Sequence, residues 1–256
     1  MKRWTILAHQ PVARQMMQLD LQVDDAFAYV PGQFLHVRVT DGHDFLLRRP
    51  ISLCNFDPDT RVLSLVYRVG GDGTRALAKR TPGMEVDVLG PLGQGFPIHE
   101  EDGHALLIGG GIGVPPLVEL AKQITAQGKT VTAVIGFLTK DVVILEKELQ
   151  MYGDVFVCTD DGSYGHHGRV TDLLTADLLA SVDRYYSCGP LPMLQAIVGK
   201  IEAKVPGYVS LEERMGCGIG ACMACVQWTV DEQGNKRLQK ICKQGPVFDG
   251  REVVFE

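Results

Sequence analysis

Apolar and polar residues alternate through Met16–Val23, Phe34–Thr40 and Val62–Val69, the last reading Val-Leu-Ser-Leu-Val-Tyr-Arg-Val. A period of two places one set of side chains on one face of a strand, so these segments predict half-buried β-strands. Turn formers separate them: Pro31-Gly32, Asp41-Gly42, Asp57-Pro58-Asp59 and Gly70-Gly71-Asp72-Gly73. Thr74–Lys79 reads as a short helix capped by Thr74, and Glu85–Leu89 as a last strand. Short strands at this spacing predict a small barrel or sandwich over residues 1–98.

After Pro97 the pattern changes. Ala105–Gly109, Thr130–Phe137, Val155–Thr159 and Tyr185–Cys188 read as strands, while Val114–Gln127, Asp141–Gln150 and Leu191–Ala203 read as helices. That alternation predicts a parallel sheet with crossover helices, a Rossmann-like domain over residues 99–206. From about Gly207 neither pattern continues. Residues 207–256 are cysteine-rich and too few for much core of their own. The expected fold class is therefore β barrel plus α/β, with a small C-terminal module.

Composition narrows the chemistry. Twenty-five basic against 31 acidic residues leave a net charge of −6, which argues against a nucleic-acid partner. Met1–His9 has a charged start with no apolar core behind it, and no run reaches the roughly 18 apolar residues of a membrane span. Seven cysteines, an odd number, without an export signal predict reducing cytoplasm, no disulfide framework and no membrane partner. Glycine is in excess, 29 of 256 or about 11% against a usual 7% or so, which suggests close main-chain approach to ligands.

Four cysteines crowd into the last 40 residues. Cys217-Gly-Ile-Gly-Ala-Cys222-Met-Ala-Cys225 is C-x4-C-x2-C, and Cys242 follows after 16 residues. A 2Fe–2S cluster takes four thiolates, two per iron, and this is the plant-type ferredoxin spacing. Gly216, Gly218 and Gly220 let main-chain N–H groups turn toward sulfur, which tunes reduction potential. A structural zinc site would prefer C-x2-C pairs at both ends, and Cys242 stands alone. Cys54, Cys158 and Cys188 are isolated, and two of them lie in apolar strands where a thiol is ordinary core.

Gly109-Gly110-Gly111-Ile112-Gly113-Val114-Pro115-Pro116 lies between a strand and a helix. Small residues there admit a dinucleotide's pyrophosphate, although glycine also serves tight strand-to-helix turns. Asp160-Asp161-Gly162-Ser163 and Cys188-Gly189-Pro190 occupy further strand ends, so the three are expected to converge on one crevice. Arg48-Arg49-Pro50-Ile51-Ser52 is either a diphosphate-binding turn or an ordinary surface basic pair. Gly73-Thr74 offers a second anion site at the short helix. A nicotinamide exchanges two electrons as hydride and a 2Fe–2S cluster one at a time, so a chain with both needs a flavin between them.

Pro31-Gly32-Gln33-Phe34, Arg49-Pro50-Ile51-Ser52, Gly111-x-Gly113-x-x-Pro116 and Cys188-Gly189-Pro190 resemble the ferredoxin–NADP reductase superfamily. With Leu211-Glu212-Glu213-Arg214-Met215-Gly216-Cys217 and Cys242-Lys-Gln-Gly-Pro246-Val-Phe248, the whole chain resembles the electron-transfer subunits of class B, NAD-dependent dihydroorotate dehydrogenases of bacterial pyrimidine synthesis. The resemblance implies FAD in the barrel–sheet cleft. Arg49, Pro50, Ile51 and Ser52 would line its diphosphate and isoalloxazine, Val66, Tyr67 and Arg68 its ribityl and adenine side, and Gly73 and Thr74 would cap the diphosphate. The superfamily often has Tyr where Ile51 stands, so stacking on the flavin would be weaker. Gly111, Gly113, Asp160, Gly162, Cys188 and Gly189 would bind NAD, and Cys217, Cys222, Cys225 and Cys242 would ligate the cluster.

Hydride transfer between stacked rings needs alignment and no acid or base, so no catalytic residue is expected in this chain. Orotate chemistry would belong to an FMN-containing catalytic partner subunit, with two copies of each in the assembly. Electrons would pass from it through the cluster and FAD to NAD+. Two other readings stay open on the residues. Related FAD/2Fe–2S subunits serve NAD(P)H–ferredoxin or sulfur-reducing complexes, though four cysteine ligands favour the orotate system. A non-catalytic zinc-stabilised binding protein would be colourless. NAD and NADP are not separated: Asp141 and Glu146 would disfavour a 2′-phosphate, and Lys140 would favour one.

Overall fold

The computed structural model describes residues 2–23, 27–42, 44–201 and 204–255. Strands β1 (Lys2–Ala13), β2 (Met16–Gln22), β3 (Phe34–Val37), β4 (Arg49–Asp57), β5 (Val62–Arg68) and β6 (Glu85–Leu92) close an antiparallel barrel in the order β1-β2-β5-β4-β3-β6. Alternation fills it: Leu19 and Leu21 of β2 and Leu63 and Leu65 of β5 turn inward onto Trp4, Ile6, Val86 and Val88. β1 was not anticipated. Trp4 and Ile6 alternate inward as a strand requires, but Pro11 and the polar residues around it blur the period. The short helix α1 (Asp72–Leu77) begins earlier than expected, with Gly71 rather than Thr74 at its cap. Thr74 is its third residue, and its hydroxyl accepts hydrogen bonds from the N–H groups of Gly70 and Gly71.

The second layer is a seven-stranded sheet. It uses β7 (His104–Gly110), β8 (Thr130–Phe137), β9 (Asp154–Thr159), β10 (His166–His167), β11 (Arg184–Cys188) and β12 (Gly207–Ser210), all parallel. A hairpin of β13 (Val226–Val230) and β14 (Lys236–Lys240) precedes β15 (Val247–Asp249), which adds antiparallel to β12. The order is β10-β9-β8-β7-β11-β12-β15. Helices α2 (Pro115–Ala126), α3 (Glu146–Gln150), α4 (Val170–Leu173), α5 (Ala176–Ala180) and α6 (Leu191–Ile201) connect the strands.

One of the longer helices differs from expectation. Asp141–Gln150 is broken: Lys140–Val142 form one 3-10 turn, Val143 is extended, and Leu145 adopts φ 62° before α3 begins. The β-branched run Val142-Val143-Ile144 crowds a helix and explains the break. α6 is described to Ile201, and its expected end at Ala203 lies outside the described residues.

The sheet continues past residue 206, and residues 211–246 form an excursion between its neighbouring strands β12 and β15. The Leu211 N–H donates to the Pro246 carbonyl (2.8 Å) at the neck of that excursion. Cys225, Ile241 and Cys242 are buried with Leu106, Ile108, Val209 and Phe248, so the cysteine segment shares the core on one face of the sheet. No helix among the described residues is long and apolar enough to cross a membrane.

On the other face, α2 packs against β4 and joins barrel to sheet. Its Glu119 is 2% exposed and accepts from the Phe56 N–H (3.0 Å) and from Gln123 Nε2 (3.2 Å), with Lys122 at 3.6 Å. Tyr29 lies close to Glu119, and burial together with that carboxylate holds its phenol far above the usual range. Lys122 Nζ donates to the Phe56 carbonyl (2.5 Å). Glu119→Leu strands these donors and is expected to cost about 3 kcal/mol, read as a lower urea midpoint.

Candidate functional site

The parallel strands run outward in both directions from β7. Its successors β8, β9 and β10 lie on one side, and β11 and β12 on the other. A crevice opens beyond the carboxyl ends of strands where the order reverses, and this is where open α/β sheets bind ligands. Here the switch lies between β7 and β11, so Gly111–Gly113 and Cys188-Gly189 border it. A cavity of about 790 Å³ occupies the place, within the usual range for cofactor clefts. Its wall takes Arg49, Pro50 and Ser52 from the barrel, Gly113 and Cys188 from the sheet, and the 210–215 segment leading to Cys217.

The two arginines divide their work. Arg48 is mostly buried and ion-paired to Asp87 at 2.8 Å, which ties β6 to the start of β4. Both arginines line the cavity, and the Arg49 guanidinium covers Gly73: a Cβ there would come within 2.6 Å of Nη2. Two segments expected to face one diphosphate are thus in contact across 24 residues of sequence. Gly71 lines the cavity, whereas Gly73 lies buried beneath Arg49 and the Thr74 hydroxyl is engaged in the helix cap. Ile51 turns into the barrel core beside Leu53 and does not line the cavity, so its side chain offers the flavin no stacking surface. Val66 packs in the core around α2. Tyr67 is in the barrel core, and its hydroxyl bonds His9 Nε2 at 2.9 Å. Arg68 is exposed and acts electrostatically on Glu212 at the cavity wall.

Gly113 closes against the β11 end. A Cβ there would lie 2.3 Å from the Cys188 carbonyl oxygen and 2.6 Å from the Gly189 nitrogen, so no side chain fits. Gly111 has φ +53° and open space where a side chain would project. The Cys188 thiol is pushed up to about 12 by burial and by Glu212, with Ser210 opposing. Asp160 and Gly162 do not join this group. They follow β9, which β8 separates from β7, and the close approach at Gly162 is to His167. Two of the three strand ends expected to converge do so.

The four cysteines meet in two pairs. The thiol of Cys217 contacts that of Cys222, and Cys242 contacts Cys225. Main-chain donors surround them: the Cys222 N–H reaches Cys217 Sγ at 3.3 Å and the Gly220 N–H reaches Cys242 Sγ at 3.1 Å. Burial works against the Cys217 thiolate, but the N–H groups of Cys222, Ile219 and Ala221 outweigh it and bring its pKa down to about 6. Burial and the neighbouring Cys225 push Cys242 up. Among the described residues, no three His, Cys, Asp or Glu side chains are arranged to hold a single metal ion.

Comparison with known proteins bears on all three parts. Residues 212–254 match the iron–sulfur cluster binding domain of dihydroorotate dehydrogenase B, and residues 107–199 an oxidoreductase NAD-binding domain. The dihydroorotate dehydrogenase B (NAD(+)) electron transfer subunit of Geobacillus sp. (strain WCH70) is 47% identical over 99% of this chain and 98% of its own. That of Bacillus mycoides (strain KBAB4) is 48% identical over 98% and 97%. The chain belongs to the dihydroorotate dehydrogenase B electron transfer subunit family. A solved NADH-dependent reduced ferredoxin–NADP oxidoreductase superposes with a TM-score of 0.85 at 29% identity, covering 100% of this chain and 91% of that one.

The cofactors of a dihydroorotate dehydrogenase B electron transfer subunit fit the residues present. Paired thiols with converging N–H donors suit a two-iron cluster, and the cavity joins an arginine-bearing strand to a side-chain-free turn. Leu211, Glu212, Glu213, Arg214 and Met215 line that cavity and had no assigned role from sequence. Their signal was positional: the segment must cross from the end of β12 to Cys217, hence over the crevice. Burial and Glu213 hold the Glu212 carboxyl above the ordinary range, while Arg68 works the other way. Gly113→Ala is expected to push the turn off Cys188 and weaken NADH binding at least about tenfold, leaving FAD in place; titration of FAD reduction against NADH concentration checks it.

Proposed function

We propose that the chain carries electrons from dihydroorotate oxidation, at an FMN-containing catalytic partner subunit, to NAD+ in pyrimidine synthesis. The observation that carries this reading is the one cavity bounded by the Arg49 strand, the Gly113 turn, Cys188 and the segment leading to Cys217. Arg49, Pro50, Ser52 and the Gly113 turn would hold FAD there, and the flavin would supply the link between a two-electron carrier, the nicotinamide, and a one-electron carrier, the 2Fe–2S cluster.

Arg49 supplies a planar fork of donors to the diphosphate, steadied by its seat on Gly73. Pro50 and Ser52 form the adjoining barrel wall. Gly111, Gly113, Cys188 and Gly189 keep bulky side chains away from the nicotinamide's approach. Cys217 with Cys222, and Cys225 with Cys242, would hold one iron each, and the surrounding N–H groups stabilise their thiolates. Residues 1–98 would then serve FAD, 99–206 NAD and 207–256 the cluster, with two sheet strands lent by the last. Stacking and alignment suffice for hydride transfer, so no acid or base is assigned. A symmetric assembly of two copies of each subunit in the cytoplasm completes the proposal.

Two variants test it. Cys225→Ser should remove the cluster's visible and EPR signals and cut electron flow from the partner, while NADH still reduces FAD. Loss of FAD reduction too, in a folded chain, would overturn the separate roles. Arg49→Ala should weaken FAD binding by about 2 kcal/mol, near thirtyfold, measured as flavin lost on dialysis. Unchanged retention would remove Arg49 from the diphosphate site.

A further inference from the structure

His36 on β3 is 1% exposed, and neither ring nitrogen has a hydrogen-bond partner among the described residues. A buried imidazole without partners costs the fold what an apolar residue would not, and such a group calls for an explanation. Leu35 and Val37 point into the barrel core, whereas Phe34 and His36 lie on the opposite face of the strand, toward the cysteine segment. β3 pairs with β4, His36 opposite Pro50, so His36 belongs to the strand pair that brings Arg49 and Ser52 to the cavity.

The ring meets the cysteine loop directly. A Cβ on Gly218 would come 2.6 Å from His36 Nδ1, and Gly218 has φ +73°, so glycine is required there twice over. The main-chain carbonyls of Arg48, at the start of β4, and of Cys217 both face the ring, so the imidazole stands between the two segments. His36 is therefore a polar wedge from the flavin-binding strand pair into the turn that carries the first cluster ligand.

We propose that His36 is a positioning residue for the 2Fe–2S cluster: its ring seats the Cys217–Gly218 turn against the barrel, and its N–H keeps the cluster's reduction potential up. This rests on the cysteine ligation proposed above. Reduction adds negative charge to the cluster, and a donor at the ligand loop favours the reduced form. Phe at this position keeps the ring's bulk without the donor, and Asn keeps a donor.

The test uses the full-length protein with FAD and cluster bound, and redox titration followed by EPR. H36F should lower the cluster midpoint by about 59 mV, a tenfold change in its one-electron equilibrium, with altered g-values. The FAD midpoint and NADH-driven FAD reduction should stay within about twofold, and H36N should lie near the wild type. Cluster loss from H36F alone, with H36N intact, supports the same conclusion. An unmoved midpoint in H36F, equal drops in both variants, or cluster loss from both would overturn it. C225S run in parallel separates the two readings. If it keeps the wild-type cluster signal, the ligand assignment falls and takes this inference with it; if it loses that signal while H36F is unshifted, only the role of His36 falls.

Discussion

A carboxylate shut away from water between two layers of the molecule fixes how those layers meet. Glu119 projects from α2 and is held by the Phe56 N–H of the barrel, with the Tyr29 phenol close by, and by Lys122 and Gln123 of its own helix. A buried carboxylate is tolerable only while its donors stay in place, and sliding barrel against sheet would take the Phe56 N–H from Glu119 and the Phe56 carbonyl from Lys122 together. The cleft between them therefore has walls of fixed separation. A site that must bring two flat rings into register depends on that constancy.

The path of the chain does the rest. It leaves the sheet after β12, crosses the mouth of the crevice through residues 211–215, forms the cysteine loop and returns in β15 beside its point of departure. The Leu211–Pro246 hydrogen bond closes the neck, and the Gln94 N–H donates to the Gly245 carbonyl (2.6 Å), fastening the return to the end of the barrel. The cysteines are thus held near the cavity by strand pairing and a shared core rather than by a domain of their own. That arrangement explains why so short a cysteine segment can be rigid enough to serve an electron carrier.

What was legible in the sequence was local. Alternation in Met16–Val23 and Val62–Val69, apolar runs such as Thr130–Phe137, and the cysteine spacing each depend on neighbours a few residues apart. What stayed hidden was set by pairing at long range. Strand order put β8 between Asp160 and the crevice, and no local pattern records it. The pairing of β12 with β15 spans the whole cysteine segment, so neither short strand carries a local pattern of its own. Arg48 and Arg49 look alike in sequence and both line the cavity, and only long-range partners, Asp87 for Arg48 and Gly73 for Arg49, tell them apart. Ile51 occupies a position where a stacking ring was the comparison, yet the pleat of β4 turns it into the barrel core.

The central claim is that one cavity places nicotinamide, flavin and cluster in electronic contact within a single chain. An anaerobic visible spectrum of the purified protein before and after NADH tests it most directly. The account predicts overlapping flavin and iron–sulfur absorption, both bleached by NADH. A colourless chain, or a coloured one in which NADH bleaches neither band, would contradict it.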